Sequence, residues 1–230
     1  MVDTKPIQVT INDQSISTPP DNRAQTAVRR AELLPAYAKG TNDWNKALFQ
    51  GKQTLHFSLH VHPEKPLNYS HDYRLFFLQT GDFSADTVYI ATGTPMGQNI
   101  AENKRKNLRL YGNSRTNDKI LFETEFSFGW HNFALYLDFG ANTVQVYYSK
   151  GDDVPLPVTG TIQNSFAGTS IAHFGILKRP TGNTGLNYLY QGYQAKGVTE
   201  AIVYGGIFEE NGLLDCSIVN TGVGKRRRGV

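Results

Sequence analysis

The run Arg29-Arg30-Ala31-Glu32 places a carboxylate two residues after a guanidinium. On a strand, residues i and i+2 leave the same face, so Arg30 and Glu32 would meet there. A cation that close favours the ionised carboxylate, which suits Glu32 to accepting a proton rather than donating one. The residue types leave a plainer alternative open, an ion pair that decorates a sheet. Local propensity adds a second ambiguity. Arg23–Leu34 is rich in Ala, Arg, Gln and Leu behind a capping Asp21, and this composition leans toward a helix. A second set of chemical groups is the stripe His56, His60 and His62. Such spacing can hold a metal, but it also fits the polar face of a half-buried strand, which is the expectation here, with no metal and no cofactor.

The elements that would position these groups are strands. In Leu55–His62, Leu55, Phe57, Leu59 and Val61 share one face, and His56, Ser58, His60 and His62 the other. Period two with that split predicts a half-buried strand. In Trp130–Phe139, Phe133, Leu135, Leu137 and Phe139 share a face; Gly140-Ala141-Asn142 turns the chain, and Thr143–Tyr148 alternates back. That pattern predicts a β-hairpin. Further strands are expected at Leu108–Tyr111, Ile120–Phe126, Ala172–Leu177 and Ala201–Phe208. Turn signals such as Thr80-Gly81-Asp82 and Gly151-Asp152-Asp153 punctuate the chain. Short strands with regular turns read as an all-β sandwich or barrel.

Composition narrows the classes. A chain of 230 residues, 39% hydrophobic, fits one domain, here residues 1–215, followed by a disordered basic tail over residues 216–230. Lys225, Arg226, Arg227 and Arg228 carry the charge: removing these four cations takes the formal net charge from +3 to −1. A body that close to neutral does not fit a nucleic-acid binder, which needs a basic patch. The single Cys216 can form neither an intrachain disulfide nor a metal site. Met1–Pro6 lacks the apolar run of a signal peptide, and Leu75–Leu78 is too short to span a bilayer.

The hairpin sequence Gly129–Phe139 with Asn142–Tyr148 resembles the concanavalin-like jelly-roll superfamily, a two-sheet antiparallel sandwich. A more specific likeness covers about 200 residues. Thr4–Ile11, Arg29–Pro35, Lys65–Tyr73, His173–Thr181 and Tyr204–Glu210 resemble, in order, the fungal glycoside hydrolase family 131 catalytic domain. The resemblance implies a β-jelly roll with a broad cleft, and secretion. It also implies cofactor-free, inverting hydrolysis of β-1,3-, β-1,6- and β-1,4-glucans; the expected partner is the glucan, with no membrane or nucleic acid, and the expected state a monomer. It turns the Arg29–Leu34 stretch into a strand, against local propensity. Relatives begin with a signal peptide and a further segment ahead of Thr4, which this chain would lack.

Glycoside hydrolysis needs two carboxyl groups flanking the scissile bond. Glu32 is the first, with Arg30 beside it. For the second, the resemblance points to Asp72, in place of a family Glu, or to the position of Gln79, an amide that exchanges no useful proton. His56, His71, His131, His173 and Tyr73 are candidates for contacts to sugar hydroxyls or rings. Trp44, Trp130, Tyr136, Tyr147 and Tyr193 are further stacking candidates, although most aromatics in a sandwich are core. Two alternatives remain open: a non-catalytic glucan-binding protein, which Gln79 would favour, and a polysaccharide lyase on the same fold, using Arg to neutralise a uronate. Asn68-Tyr69-Ser70 is an N-glycosylation sequon.

Overall fold

The computed structural model describes residues 5–19, 23–35, 49–116, 118–182 and 187–212. Thirteen strands are seen there: β1 Ile7–Asn12, β2 Arg29–Leu33, β3 Lys52–Val61, β4 Asp72–Thr80, β5 Asp86–Gly93, β6 Asn107–Tyr111, β7 Ile120–Glu125, β8 His131–Asp138, β9 Thr143–Lys150, β10 Leu156–Pro157, β11 Ile162–Gln163, β12 Thr169–Lys178 and β13 Thr199–Asn211. All pairings between these strands are antiparallel. One sheet runs β1-β13-β3-β8-β9-β10, with β11 also on β9; the other runs β2-β12-β4-β5-β6-β7. No described helix is long and apolar enough to cross a membrane.

The two sheets bury one core. Phe57, Leu59, Phe133, Leu135, Val146, Ile202 and Tyr204 enter it from the first sheet; Leu75, Phe76, Leu78, Ile90, Leu110, Phe174 and Ile176 enter from the second. The alternation in β3 and in the β8–β9 hairpin therefore positions the core side of the first sheet as expected. The hairpin turn is held by Asp138 Oδ1, which accepts from Ala141 N at 2.8 Å, and by Asn142 in the left-handed region at φ 54°, which Asn tolerates.

Around Arg29 the helix lean of the local sequence is overturned. Arg29–Leu33 is a strand at the edge of the second sheet, paired with β12 from Phe174 to Lys178. Ala31 and Leu33 pack on the core. Burial of that alternating pair, together with the ladder to β12, outweighs the small propensity differences involved.

One ionic cluster lies inside the sandwich. Lys178, fully buried, donates to Glu200 Oε1 at 2.7 Å, and the Tyr73 hydroxyl donates to Glu200 Oε2 at 2.8 Å. The proposed tail at 216–230 and Trp44 lie outside the described residues.

Candidate active site

Arg30 and Glu32 leave β2 on the outer face of the second sheet, opposite the side on which Ala31 and Leu33 meet the core. Glu32 is directly opposite Gly175. A Cβ at Gly175 would stand 2.2 Å from Ala31 O, 2.6 Å from Glu32 Cα and 2.8 Å from Glu32 Cγ. The missing side chain thus lets β2 close on β12 and lays Glu32 across it. The register between β12 and β4 shifts between Phe174 and Leu177. Beside that irregularity, Tyr204 reaches over from the other sheet. Its hydroxyl lies 2.6 Å from Leu75 O and 2.8 Å from Gly175 O, both of which accept from it.

The Glu32 carboxylate is gripped from two sides. Arg30 Nη2 donates to Oε2 at 2.8 Å. Arg30 Nε lies 2.7 Å from Oε1, a close ionic contact without the alignment of a hydrogen bond. His173, two residues from Gly175 on the same face, places Nδ1 2.9 Å from Oε2; facing a carboxylate, Nδ1 carries the proton. The imidazole lies flat on Phe77, with centroids 4.1 Å apart. Burial alone would raise the Glu32 pKa. The His173 hydrogen bond and the Arg30 charge outweigh it and hold the carboxyl below its ordinary value. Oε2 is doubly bonded, whereas Oε1 accepts no hydrogen bond among the described residues. Oε1 is therefore the less hydrogen-bonded oxygen, buried against the Arg30 guanidinium.

Next to this pair opens a cleft of about 550 Å³ lined by Arg30, Arg74, Phe77, Gln79, Asp86, Arg179 and Tyr188, among others. The Arg74 guanidinium sits 3.3 Å above the Tyr89 ring centroid, a cation–π contact, with Nε 3.7 Å from Asp86 Oδ2. Gln79 Nε2 donates to Asp86 Oδ1 at 3.4 Å. Arg179 contacts Asp72, Nη1 to Oδ2 at 3.3 Å, and Asp72 lines a separate depression with Met96 and Thr181. The Arg179–Asp72 pair thus stands between the two hollows.

Of the residues singled out in the sequence, Arg30, Glu32 and His173 come together, and Gln79 lines the adjoining cleft. Asp72 lies apart. It opposes Arg179, four residues along β12 from Gly175. Two strand spacings across and four residues along place the Cα atoms of Glu32 and Asp72 on the order of 16 Å apart. Gln79 opposes Ile171, four residues the other way. The outer-face positions of β4 between these two are Arg74 and Phe77.

The remaining candidates sit elsewhere. His56 is on the first sheet, with Nε2 3.0 Å from Glu210 and its ring stacked on Phe208; burial lowers its pKa against the pull of Glu210. His71 Nδ1 bonds Arg179 O at 2.8 Å, and burial lowers its pKa too. His131 is fully buried between Tyr148 Oη and Ser127 O, so both its nitrogens are used. Tyr73 is fully buried against Glu200. Trp130 packs edge-on to His60, and Tyr136 and Tyr147 form a small cluster with Ala134. Sequence reasoning gave no role to Arg74, Asp86, Arg179 and Tyr188. β4 is buried on both faces, so no period-two contrast marks which of its residues face outward. Arg179 falls inside one of the quoted motifs, the only signal for it.

An open sandwich whose outer face presents a carboxylate held ionised beside a cleft is a frame on which glycoside hydrolases are built. The sequence profile of the "Glycoside hydrolase 131 catalytic N-terminal domain" matches residues 1–213, and the chain belongs to that family. Among solved structures, the GH131 β-glucanase catalytic domain from Podospora anserina superposes with a TM-score of 0.68 at 20% identity, over 93% of this chain and 74% of that one. The catalytic domain of the glycoside hydrolase family 131 protein from Coprinopsis cinerea gives a TM-score of 0.63 at 19% identity, over 91% and 71%. Both confirm the sandwich fold. No curated protein sequence matches the chain.

Proposed function

We propose that the chain hydrolyses β-glucans by inversion, with Glu32 as the general base. The observation that carries this reading is the Glu32 carboxylate, held ionised by His173 and by Arg30, whose side chain lines the 550 Å³ cleft. In an inverting mechanism one carboxylate removes a proton from water while an acid protonates the leaving oxygen. The Glu32 carboxylate takes the water's proton. His173 and Arg30 orient the carboxylate and keep it charged between turnovers. The β-glucan class is drawn from the Podospora relative, described as a β-glucanase. Action on β-1,3-, β-1,6- and β-1,4-linkages, work as a monomer and an extracellular setting are part of the same proposal and follow from the family likeness of the sequence motifs alone.

A second reading has its own support. The outer-face positions of β4 nearest Glu32 carry Arg74 and Phe77, and Asp72 and Gln79 each stand four residues to one side. An inverting pair keeps its carboxyl groups roughly 6.5–9.5 Å apart, so neither position supplies the acid without a large lean of side chains. This favours a protein that binds glucan without cutting it.

Reducing-sugar release from laminarin, lichenan and cello-oligosaccharides separates the two. The hydrolase reading expects release, an inverted anomer in the first product by NMR, and a loss of at least about 10²-fold in Glu32→Gln, in line with removal of a general base. Binding without release supports the second reading, and unsaturated product absorbing in the ultraviolet would point to a lyase. Full activity in Glu32→Gln removes the assignment.

A further inference from the structure

A third hollow lies between the sheets, on the core side of the second sheet, opposite the face that carries Glu32. Its volume is about 310 Å³, and its walls are apolar: Phe49, Leu55, Leu78, Leu137, Phe174 and Ile207. An apolar cavity of about 150 Å³ suffices for one benzene ring, so this one has room for a substituted ring. Two polar groups break the apolar lining, Gln53 and Glu209. Asn211 opposes Gln53 and Glu209 opposes Leu55 across the β3–β13 ladder. Gln53 and Glu209 are therefore diagonal neighbours on one face, about 7–8 Å apart at the backbone.

Neither group is fully satisfied among the described residues. Gln53 is 7% exposed, and its Nε2 donates to Gln50 O at 3.2 Å. Its Oε1 is buried and has no hydrogen-bond partner among the described residues. A buried acceptor left open in this way costs free energy. Among the described residues no charged or hydrogen-bonding neighbour acts on the Glu209 carboxyl; burial pushes its pKa up to about 7. Below that pH the carboxyl is a donor as well as an acceptor.

We propose that this inter-sheet cavity binds a small phenol, whose hydroxyl donates to Gln53 Oε1 and accepts from the Glu209 carboxyl while the ring fills the apolar walls. The chemistry selects the class. The walls demand a ring or short alkyl group, and the two polar groups demand one hydroxyl that gives and takes a hydrogen bond. A polyhydroxylated sugar would leave most of its hydroxyls unpaired here. The site is thus distinct from the glucan cleft and independent of the hydrolase reading.

The test is calorimetric titration of the full chain at pH 5.5 with 4-ethylphenol, and with 4-ethylanisole, which keeps the ring and lacks the donor proton. The expected result is saturable one-to-one binding of the phenol and about tenfold weaker binding of the anisole, the worth of one hydrogen bond. Gln53→Met and Glu209→Met, of similar volume, should each weaken the phenol by about tenfold, with folding checked by circular dichroism. Glu32→Gln should bind it unchanged. Absence of saturable binding to the folded wild-type chain overturns the proposal. So does equal affinity for phenol and anisole, which would reduce the site to a greasy hole. If both Met variants fail to fold, the phenol-to-anisole ratio in the wild type decides alone.

Discussion

Gly175→Ala tests whether the approach of β2 to β12 sets the site. The new methyl carbon would stand 2.2 Å from Ala31 O and 2.6 Å from Glu32 Cα. Carbon contacts settle near 3.5 Å, and both obstacles are backbone, so no side-chain rotation relieves them. The edge strand must retreat by about 1 Å, which stretches the ladder from Phe174 to Lys178 and carries Glu32 away from His173. Overpacking of this kind costs about 2 kcal/mol, which lowers the melting temperature of a chain this size by roughly 4–8 °C. A displacement near 1 Å costs activity about 10²-fold. Differential scanning calorimetry and laminarin hydrolysis read both effects. Gly160→Ala, where a Cβ meets nothing within 4 Å, is the control and should change neither. A Gly175→Ala protein with wild-type melting and wild-type turnover would refute the reasoning.

Three further outcomes are expected. Glu209→Gln should flatten the pH dependence of stability. The Glu209 pKa is raised from its ordinary 4.5 to about 7, so in the wild type its contribution is full below about 4.5 and is lost as pH rises through 7. Chemical denaturation at pH 4, 6 and 8 checks this: the variant should gain on the wild type with rising pH, and a constant difference would show that the shift is absent. Lys178→Met strands Glu200 as an uncompensated buried charge and should cost about 3–5 kcal/mol, read as the urea midpoint; the double variant with Glu200→Leu should recover part of it. Tyr204→Phe leaves Leu75 O and Gly175 O without their shared donor and should cost about 1–3 kcal/mol. Because Gly175 seats Glu32, turnover should fall with KM little changed, whereas a purely structural role would lower the melting temperature alone.

The sandwich was legible in the sequence where one face of a strand is polar in residue type. β3, β8 and β9 alternate cleanly, and their apolar sides form the core wall. β2 was legible only through the family motif, because five residues rich in Arg and Ala carry helix propensity, and only the ladder to β12 decides otherwise. The Arg30–Glu32 pair followed from the two-residue spacing once a strand was granted. The place of Asp72, His56, His71, His131 and Tyr73 did not follow. A histidine or tyrosine looks the same in sequence whether it faces a cleft or satisfies a buried partner such as Glu200, Tyr148 Oη or a backbone carbonyl.

Residue type and spacing by themselves determined the sheet class and one core face; the carboxylate beside its guanidinium needed the family motif that made Arg29–Leu34 a strand. Tertiary structure decided who stands next to that carboxylate. His173 reaches Glu32 from 141 residues away because Gly175 lets two strands touch. Arg74, Asp86 and Arg179 line one cleft because the register of three strands brings them there. Contacts of that kind depend on register and curvature, which no local window of sequence contains.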